Sequence, residues 1–161
     1  MATIRWCTGN GVKLIEPNEN LAREYLDSAE ETLRVFREIR ALSPIWLATT
    51  KYYCEYFAFY AVLMRIGIKS EIHECTIALA YRLQELGAIA QGTAELLETD
   101  KQLRIDNQYY LKHRPVESGA EQLIDFVLSM KRTAERMTGD ELTLLRRRIF
   151  KSSNVSHPRF S

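Results

Sequence analysis

The chain has 161 residues, the size of a single domain, and its 22 Lys and Arg are nearly balanced by 21 Asp and Glu. A net charge of +1 excludes a globally basic surface, so only a local cluster can argue for a nucleic-acid partner. With 46% hydrophobic residues, 7 Gly and 4 Pro, the composition favours long regular elements over many turns. The most apolar stretch, residues 52–68, contains two charges and is short for a membrane span. Because residues 1–17 also lack the apolar core of a signal peptide, we expect a cytoplasmic protein with no membrane contact.

The cysteines predict neither a disulfide nor a metal site. Cys7, Cys54 and Cys75 are odd in number and form no CxxC pair. They are therefore expected to be small buried thiols in a reducing compartment. The sequence also lacks a Gly-rich phosphate loop, HExxH and GxSxG, so no metal and no cofactor are expected.

Two segments with different signals begin the chain. Residues 1–18 contain Gly and Asn turn chemistry and predict an extended arm. A first helix is predicted over residues 19–42, with Asn18 as its N-cap. Apolar residues recur along it at helical spacing, which indicates one face turned toward a core.

The second predicted helix runs from Pro44 to Ile66 and is apolar almost all round. Ser43 before Pro44 is a start signal, and Gly67 is a candidate C-cap. A helix of this kind lies either at the centre of a bundle or in a dimer interface. We expect a homodimer through one of its faces, formed by Tyr52, Tyr56, Phe59 and Leu63.

The remaining helices are predicted over residues 70–86, 94–112 and 115–137. A last short helix follows Gly139, with Asp140 as a possible cap, and a polar tail follows that helix. The fold class is therefore all-α, an up-and-down antiparallel bundle of four to five helices with an extended N-terminal arm and a short C-terminal helix. The predicted divisions are 1–18 for the arm, 19–138 for the bundle, and 139–161 for the short helix and flexible tail.

The fourth helix contains the densest group of polar side chains. Arg104, Asn107 and Gln108 share one face and could grip a phosphate or carboxylate. Tyr110 and His113, with Asp106, share another face and could in principle transfer a proton. The alternative is that Arg104 and Gln108 only tie this helix to its neighbours by hydrogen bonds.

Two other features allow a functional or a purely structural interpretation. His73 lies near the start of the third helix, where an imidazole could bind an anion, act as a base, or simply bond to a neighbouring helix. The run Arg146-Arg147-Arg148 could contact RNA or an acidic protein, or it could be a solvated helix end favoured by the helix dipole.

Three stretches resemble a known family. Residues 51–58 read KYYCEYFA, residues 67–73 read GIKSEIH, and residues 104–110 read RIDNQYY. The first two resemble the YYAxYYAxxAxLxxxGxKxxxH core of the HEPN domains, and the third resembles an Arg…(Asp/Gln)-Tyr segment of one branch. The similarity extends over residues 18–137.

The resemblance implies a four- or five-helix bundle, commonly a homodimer, encoded beside a minimal nucleotidyltransferase in toxin–antitoxin-like pairs. Active HEPN proteins are metal-independent ribonucleases with an Arg, four to six residues, and then a His. Here seven residues separate Arg65 from His73, eight separate Arg104 from His113, and no Arg-Asn dipeptide occurs. Only His73 and Arg104 match the family pattern, and branches without the nuclease motif are thought to bind nucleotides, RNA or proteins.

The sequence therefore predicts a non-catalytic, dimeric HEPN-like module that pairs with a nucleotidyltransferase or binds nucleotide or RNA. Its expected ligand-binding residues are Arg104, Asn107, Gln108, Tyr110 and His113. The alternatives are a metal-independent endoribonuclease that uses His73 and Arg104, and a structural protein that assembles through the second helix.

Overall fold

A computed structural model describes residues 2–151, which form seven α-helices and one two-stranded β-ribbon. The all-α prediction is confirmed. Residues 152–161, most of the predicted tail, lie outside the described residues. In the described part of the chain, every helix is too short or too polar to cross a membrane. The elements are α1 Ile4–Asn10, β1 Val12–Leu14, α2 Glu19–Ile39, α3 Pro44–Ile66, β2 Ile68–Ser70, α4 His73–Glu85, α5 Thr93–Gln108, α6 Glu121–Arg136 and α7 Gly139–Phe150.

Side-chain caps set the helix starts that the sequence predicts best. The Asn18 side chain accepts a hydrogen bond from the backbone N–H of Leu21, and the Ser43 hydroxyl accepts one from that of Trp46. Gly67, at φ 84°, ends α3 in the left-handed conformation that glycine adopts without strain. The last helix differs from prediction: Thr138, not Asp140, caps α7, because Thr138 and Glu141 form a reciprocal capping box.

The N-terminal segment is more ordered than the predicted extended arm. Thr3 caps the short helix α1, and β1 pairs antiparallel with β2, with Val12 opposite Ser70 and Leu14 opposite Ile68. This pairing explains a second correction: residues 68–70 use their backbone groups in the ribbon, so α4 begins at His73 and not at Ser70.

The helix α3 is the centre of the fold, packed mainly against α2, α5 and α6. Tyr52, Phe59 and Leu63 are completely buried among these helices, and Tyr56 is half-buried. The predicted dimer contact through these four residues is therefore wrong, because the chain's own helices already cover that face. A helix apolar on all sides is here the core of a single chain.

The prediction of three free thiols is also wrong. Cys7 in α1 and Cys75 in α4 form a disulfide, with their Cα atoms 5.5 Å apart. The β-ribbon explains why residues 68 positions apart meet, since it brings α1 beside the first turn of α4. Cys54 is a free, buried thiol that donates a hydrogen bond to the carbonyl of Ala29. The cysteines therefore no longer indicate a reducing compartment.

Candidate functional site

Four charged side chains are buried where α5 crosses α3. Lys51 and Glu55 lie one helical turn apart on α3, and Asp100 and Arg104 lie one turn apart on α5. The Lys51 ammonium is 3.3 Å from the Asp100 carboxylate, and both side chains are almost completely buried. Because a buried ion is costly unless it is paired, this contact compensates two of the four charges.

Glu55 lies beside that pair, next to the Asp100 carboxylate. Both carboxyl oxygens are buried and have no partner within residues 2–151. Burial raises the pKa of Glu55 well above its ordinary value of 4.5, the neighbouring Asp100 raises it further, and Lys51 opposes the shift. Burial therefore favours the protonated, uncharged form of Glu55, which costs less to bury than the carboxylate.

Arg104 is a buried cation without an acidic partner. Its side chain is 8% exposed, its Nη1 donates to the Tyr53 hydroxyl at 3.2 Å, and its Nε is buried with no acceptor. Its guanidinium carbon lies 5.1 Å from the ring centre of Tyr52 and 5.3 Å from that of Tyr53. In the part of the chain that the structure describes, no carboxylate forms an ion pair with Arg104.

His73 is held against the same tyrosines. It is the first residue of α4, its Nδ1 lies 2.7 Å from the Tyr52 hydroxyl, and its ring stacks on Tyr56 with centres 4.8 Å apart. Burial lowers the pKa of His73 below its ordinary value of 6.5, and the charges of Arg104 and Lys101 lower it further. The imidazole is therefore neutral at pH 7.

His73 and Arg104 thus meet at Tyr52, although 31 positions separate them in the sequence. We refer to Tyr52, Tyr53, Tyr56, His73 and Arg104 as the tyrosine–arginine cluster. Tyr53, Tyr56 and His73 are half-buried, so the cluster reaches solvent at the junction of α3, α4 and α5. A fixed guanidinium, a neutral imidazole and half-buried aromatic rings are groups that contact phosphates and nucleobases.

The other predicted ligand-binding residues do not join this cluster. Asn107 is buried and bonds to both backbone groups of Arg114, with Nδ2 donating to the carbonyl and Oδ1 accepting from the N–H. Gln108 accepts a bond from Thr49 at 3.5 Å. Tyr110 and His113 are exposed in the loop that follows α5. Gln108 therefore has the structural role that the sequence left open for it, whereas Asn107 supports the loop after α5.

Asp106 serves the same loop. Its carboxylate accepts hydrogen bonds from Arg114, Gln102 and Lys112, which lower its pKa to about 2. It therefore stays ionised and cannot act as a base near neutral pH.

The basic run after residue 145 is not a single charged patch. The Nη1 of Arg146 donates to the carbonyls of Ile15, Ile66 and Gly67, at 2.8, 2.8 and 2.9 Å. It therefore binds backbone at the end of α3. Arg147 and Arg148 are exposed on α7.

Sequence reasoning missed Lys51, Glu55 and Asp100. A signal was present, because Lys51 and Glu55 stand four apart on the most apolar helix, as do Asp100 and Arg104 on its neighbour. Among residues 2–151, no group of three or more His, Cys, Asp and Glu side chains is arranged to hold a metal ion. Comparisons with family models, curated proteins and solved structures found no match for the chain.

Proposed function

We propose that this chain is a non-catalytic binding module for a nucleotide, either free or within RNA, and that Arg104 binds its phosphate. The observation that carries the proposal is the buried guanidinium of Arg104, which has no carboxylate partner among the described residues. Buried arginines are normally paired, because an isolated buried charge is costly. A bound phosphate would supply the missing counter-ion through short, charge-assisted hydrogen bonds.

The surroundings of Arg104 fit an anion that carries a base. The α4 helix starts at His73 without a side-chain cap, so its N-terminal amides add partial positive charge beside the cluster. The half-exposed rings of Tyr53 and Tyr56 offer faces on which a base can stack. The contacts between Arg104 and two tyrosines also hold the guanidinium in place before a ligand arrives, which reduces the entropy lost on binding.

Titration with uridine monophosphate and with inorganic phosphate tests this proposal. Arg104→Met should weaken nucleotide binding by about 10- to 100-fold, the effect of losing hydrogen bonds to a charged group. Arg147→Met is the matched control, because it removes an exposed arginine far from the cluster in sequence, on α7, and should leave binding unchanged. Absence of binding to the unmodified chain, or equal binding by Arg104→Met, would contradict the proposal.

One observation favours the alternative of a metal-independent ribonuclease. His73 is neutral and bonded through Nδ1 to Tyr52, while its Nε2 has no hydrogen-bond partner within the described range. In the tautomer that carries its proton on Nδ1, Nε2 can act as a base, and Arg104 lies close enough to Tyr52 to share the site and stabilise negative charge that develops on a phosphate. RNA that stays intact at high protein concentration, or cleavage unchanged in His73→Ala, would exclude this activity.

The HEPN resemblance, the homodimer, the nucleotidyltransferase partner and the cytoplasmic location belong to the same proposal. The first three are supported by the sequence motifs, and a dimer would need a surface other than the buried face of α3. Sedimentation of the purified chain tests the dimer, and a monomer would also exclude a purely structural assembly role. Co-purification with a small nucleotidyltransferase encoded next to this gene tests the partner.

A further inference from the structure

We propose that the loop after α5, together with Trp46, is a stacking platform for single-stranded RNA. We define the RNA platform as Trp46 and residues 109–114. This inference rests on the proposed function, since it extends the nucleotide site at Arg104 to a longer strand. It adds a ligand class, unpaired RNA several nucleotides long, and a surface that the tyrosine–arginine cluster does not include.

The platform exposes three large aromatic side chains on neighbouring segments of the fold. Tyr109, Tyr110 and Trp46 are 64%, 67% and 59% exposed. The Thr49 hydroxyl bonds to Gln108 at 3.5 Å, so the first turns of α3, where Trp46 lies, are next to the end of α5. A concentration of exposed aromatic surface on a small protein marks a contact site more often than isolated exposed residues do.

The loop is held in a strained conformation by buried groups. Leu111 and His113 both have a φ of 50°. This is the left-handed backbone conformation, which residues other than glycine rarely adopt. The buried Asn107 side chain bonds to the backbone N–H and carbonyl of Arg114. The Asp106 carbonyl accepts a hydrogen bond from the backbone N–H of Lys112. These buried groups keep the loop in one conformation, and in that conformation Tyr109 and Tyr110 are exposed to solvent.

Charge identifies the occupant as a polyanion. Residues 104–114 contain three permanent cations, Arg104, Lys112 and Arg114, and a single carboxylate, Asp106. Asp106 pairs with both Lys112 and Arg114, so these four groups leave a net charge of +2. The Lys112 ammonium lies 5.6 Å from the ring centre of Tyr110, so a base and a phosphate can be contacted side by side. A duplex would hide its bases from the aromatic side chains. Unpaired RNA presents phosphates to the cations and bases to the aromatic side chains.

The platform is continuous with the nucleotide site. The guanidinium of Arg104 lies 5.9 Å from the ring centre of Tyr109, as well as over Tyr52 and Tyr53. A strand with one phosphate at Arg104 can therefore place its next base on Tyr109. It can then continue over Tyr110 toward Lys112 and Arg114.

Fluorescence anisotropy with labelled oligouridylates of about 4 to 12 nucleotides, the usual span of such surfaces, measures this extension. Affinity should rise with length in the unmodified chain. Tyr109→Ala and Tyr110→Ala should each weaken binding of the longest oligomer by about 5- to 150-fold, and Phe at either position should restore it. Binding of uridine monophosphate should change little in Tyr110→Ala. Leu144→Ala, which shortens another exposed apolar side chain, is the control.

The outcomes separate this inference from the proposed function. If uridine monophosphate binds through Arg104 but affinity does not rise with length, or the tyrosine variants bind normally, the platform is overturned and the nucleotide site stands. If oligouridylates bind through the tyrosines while Arg104→Met has no effect, the platform stands and the proposed phosphate contact fails. Equal binding of double-stranded RNA of the same length would overturn the single-strand assignment.

Discussion

The fold favours the protonated form of Glu55, and this makes the contribution of Glu55 to stability depend on pH. Its pKa is raised in the folded chain above the ordinary value of 4.5. The folded state therefore holds the proton more tightly than the unfolded state, and stability is lost as pH rises from about 4.5 toward the folded pKa. Glu55→Gln removes this loss. Urea unfolding across pH should show the variant gaining on the unmodified chain, by at most about 1.4 kcal/mol per pH unit.

In the same buried group, removing the charge of Lys51 should destabilise the chain, whereas replacing Glu55 should stabilise it. Lys51→Met leaves the Asp100 carboxylate buried without its cation and should destabilise the chain by about 3 to 5 kcal/mol at pH 7. Lys131→Met removes an exposed lysine from a surface pair with Glu30 and should cost less than about 1 kcal/mol. A pH-independent difference for Glu55→Gln, or a mild effect of Lys51→Met, would mean that these side chains are hydrated in solution.

His73 reports on Arg104 through its own titration. Burial is the main reason for its lowered pKa, and the positive charge of Arg104 contributes next. Removing that charge in Arg104→Met should therefore raise the pKa of His73 toward 6.5. The Hε1 signal of His73, followed by NMR from pH 4 to 8, measures this shift. Arg147→Met should leave the titration unchanged. If the pKa of His73 does not change in Arg104→Met, the two side chains are not close enough in solution for the charge of Arg104 to act on His73.

The sequence allowed part of this site to be predicted. His73 and Arg104 stood out because polar residues at helix starts and on amphipathic faces are visible in one dimension. Their meeting at Tyr52 was not visible, because it depends on how α4 and α5 pack against α3. Lys51, Glu55 and Asp100 were missed for the related reason that burial of a charge is a property of the packed helices and not of local spacing.

At the scale of elements, the Arg146 side chain caps the C-terminal end of the central helix α3. It donates to three carbonyls where α3 passes into β2, including that of Ile66, the last residue of α3. Arg146→Ala should lower the free energy of unfolding by about 2 to 3 kcal/mol, since buried acceptors lose a charged donor. The adjacent exposed Arg147→Ala should change it by less than about 0.5 kcal/mol. Similar effects of the two substitutions in urea unfolding would contradict the assignment.

Helix boundaries were predictable where a side chain defines them. Asn18, Ser43 and Gly67 mark ends that agree with the structure, because each acts through its own backbone or its near neighbours. The end of α5 and the start of α6 were predicted wrongly, at residues 112 and 115. In the structure, α5 ends at Gln108 and α6 begins at Glu121. The loop between them is held by hydrogen bonds from Asn107 to Arg114, which local sequence patterns do not show. The α1 helix was missed because it is one to two turns long and is stabilised by packing on α4.

At the scale of the whole molecule, the candidate site lies where distant parts of the chain are tied together. The β-ribbon joins residues 12–14 to residues 68–70, just before α4. The Cys7–Cys75 disulfide then fastens α1 to the first turn of α4, two residues after His73. Both ties fix the start of α4 to the N-terminal segment, and His73 at that start contacts Tyr52 and Tyr56 of α3.

The disulfide should therefore contribute strongly to the stability of the whole chain. It closes a loop of 68 residues, for which loop-closure entropy gives about 4 kcal/mol as the upper range of stabilisation. The midpoint of urea unfolding should fall when the chain is reduced with a phosphine, and Cys75→Ala should lower it in both buffers and abolish this difference. Cys54→Ala removes the buried free thiol, so it should weaken packing yet keep the full response to reductant. Equal midpoints for oxidised and reduced protein would show that Cys7 and Cys75 are not bonded in solution.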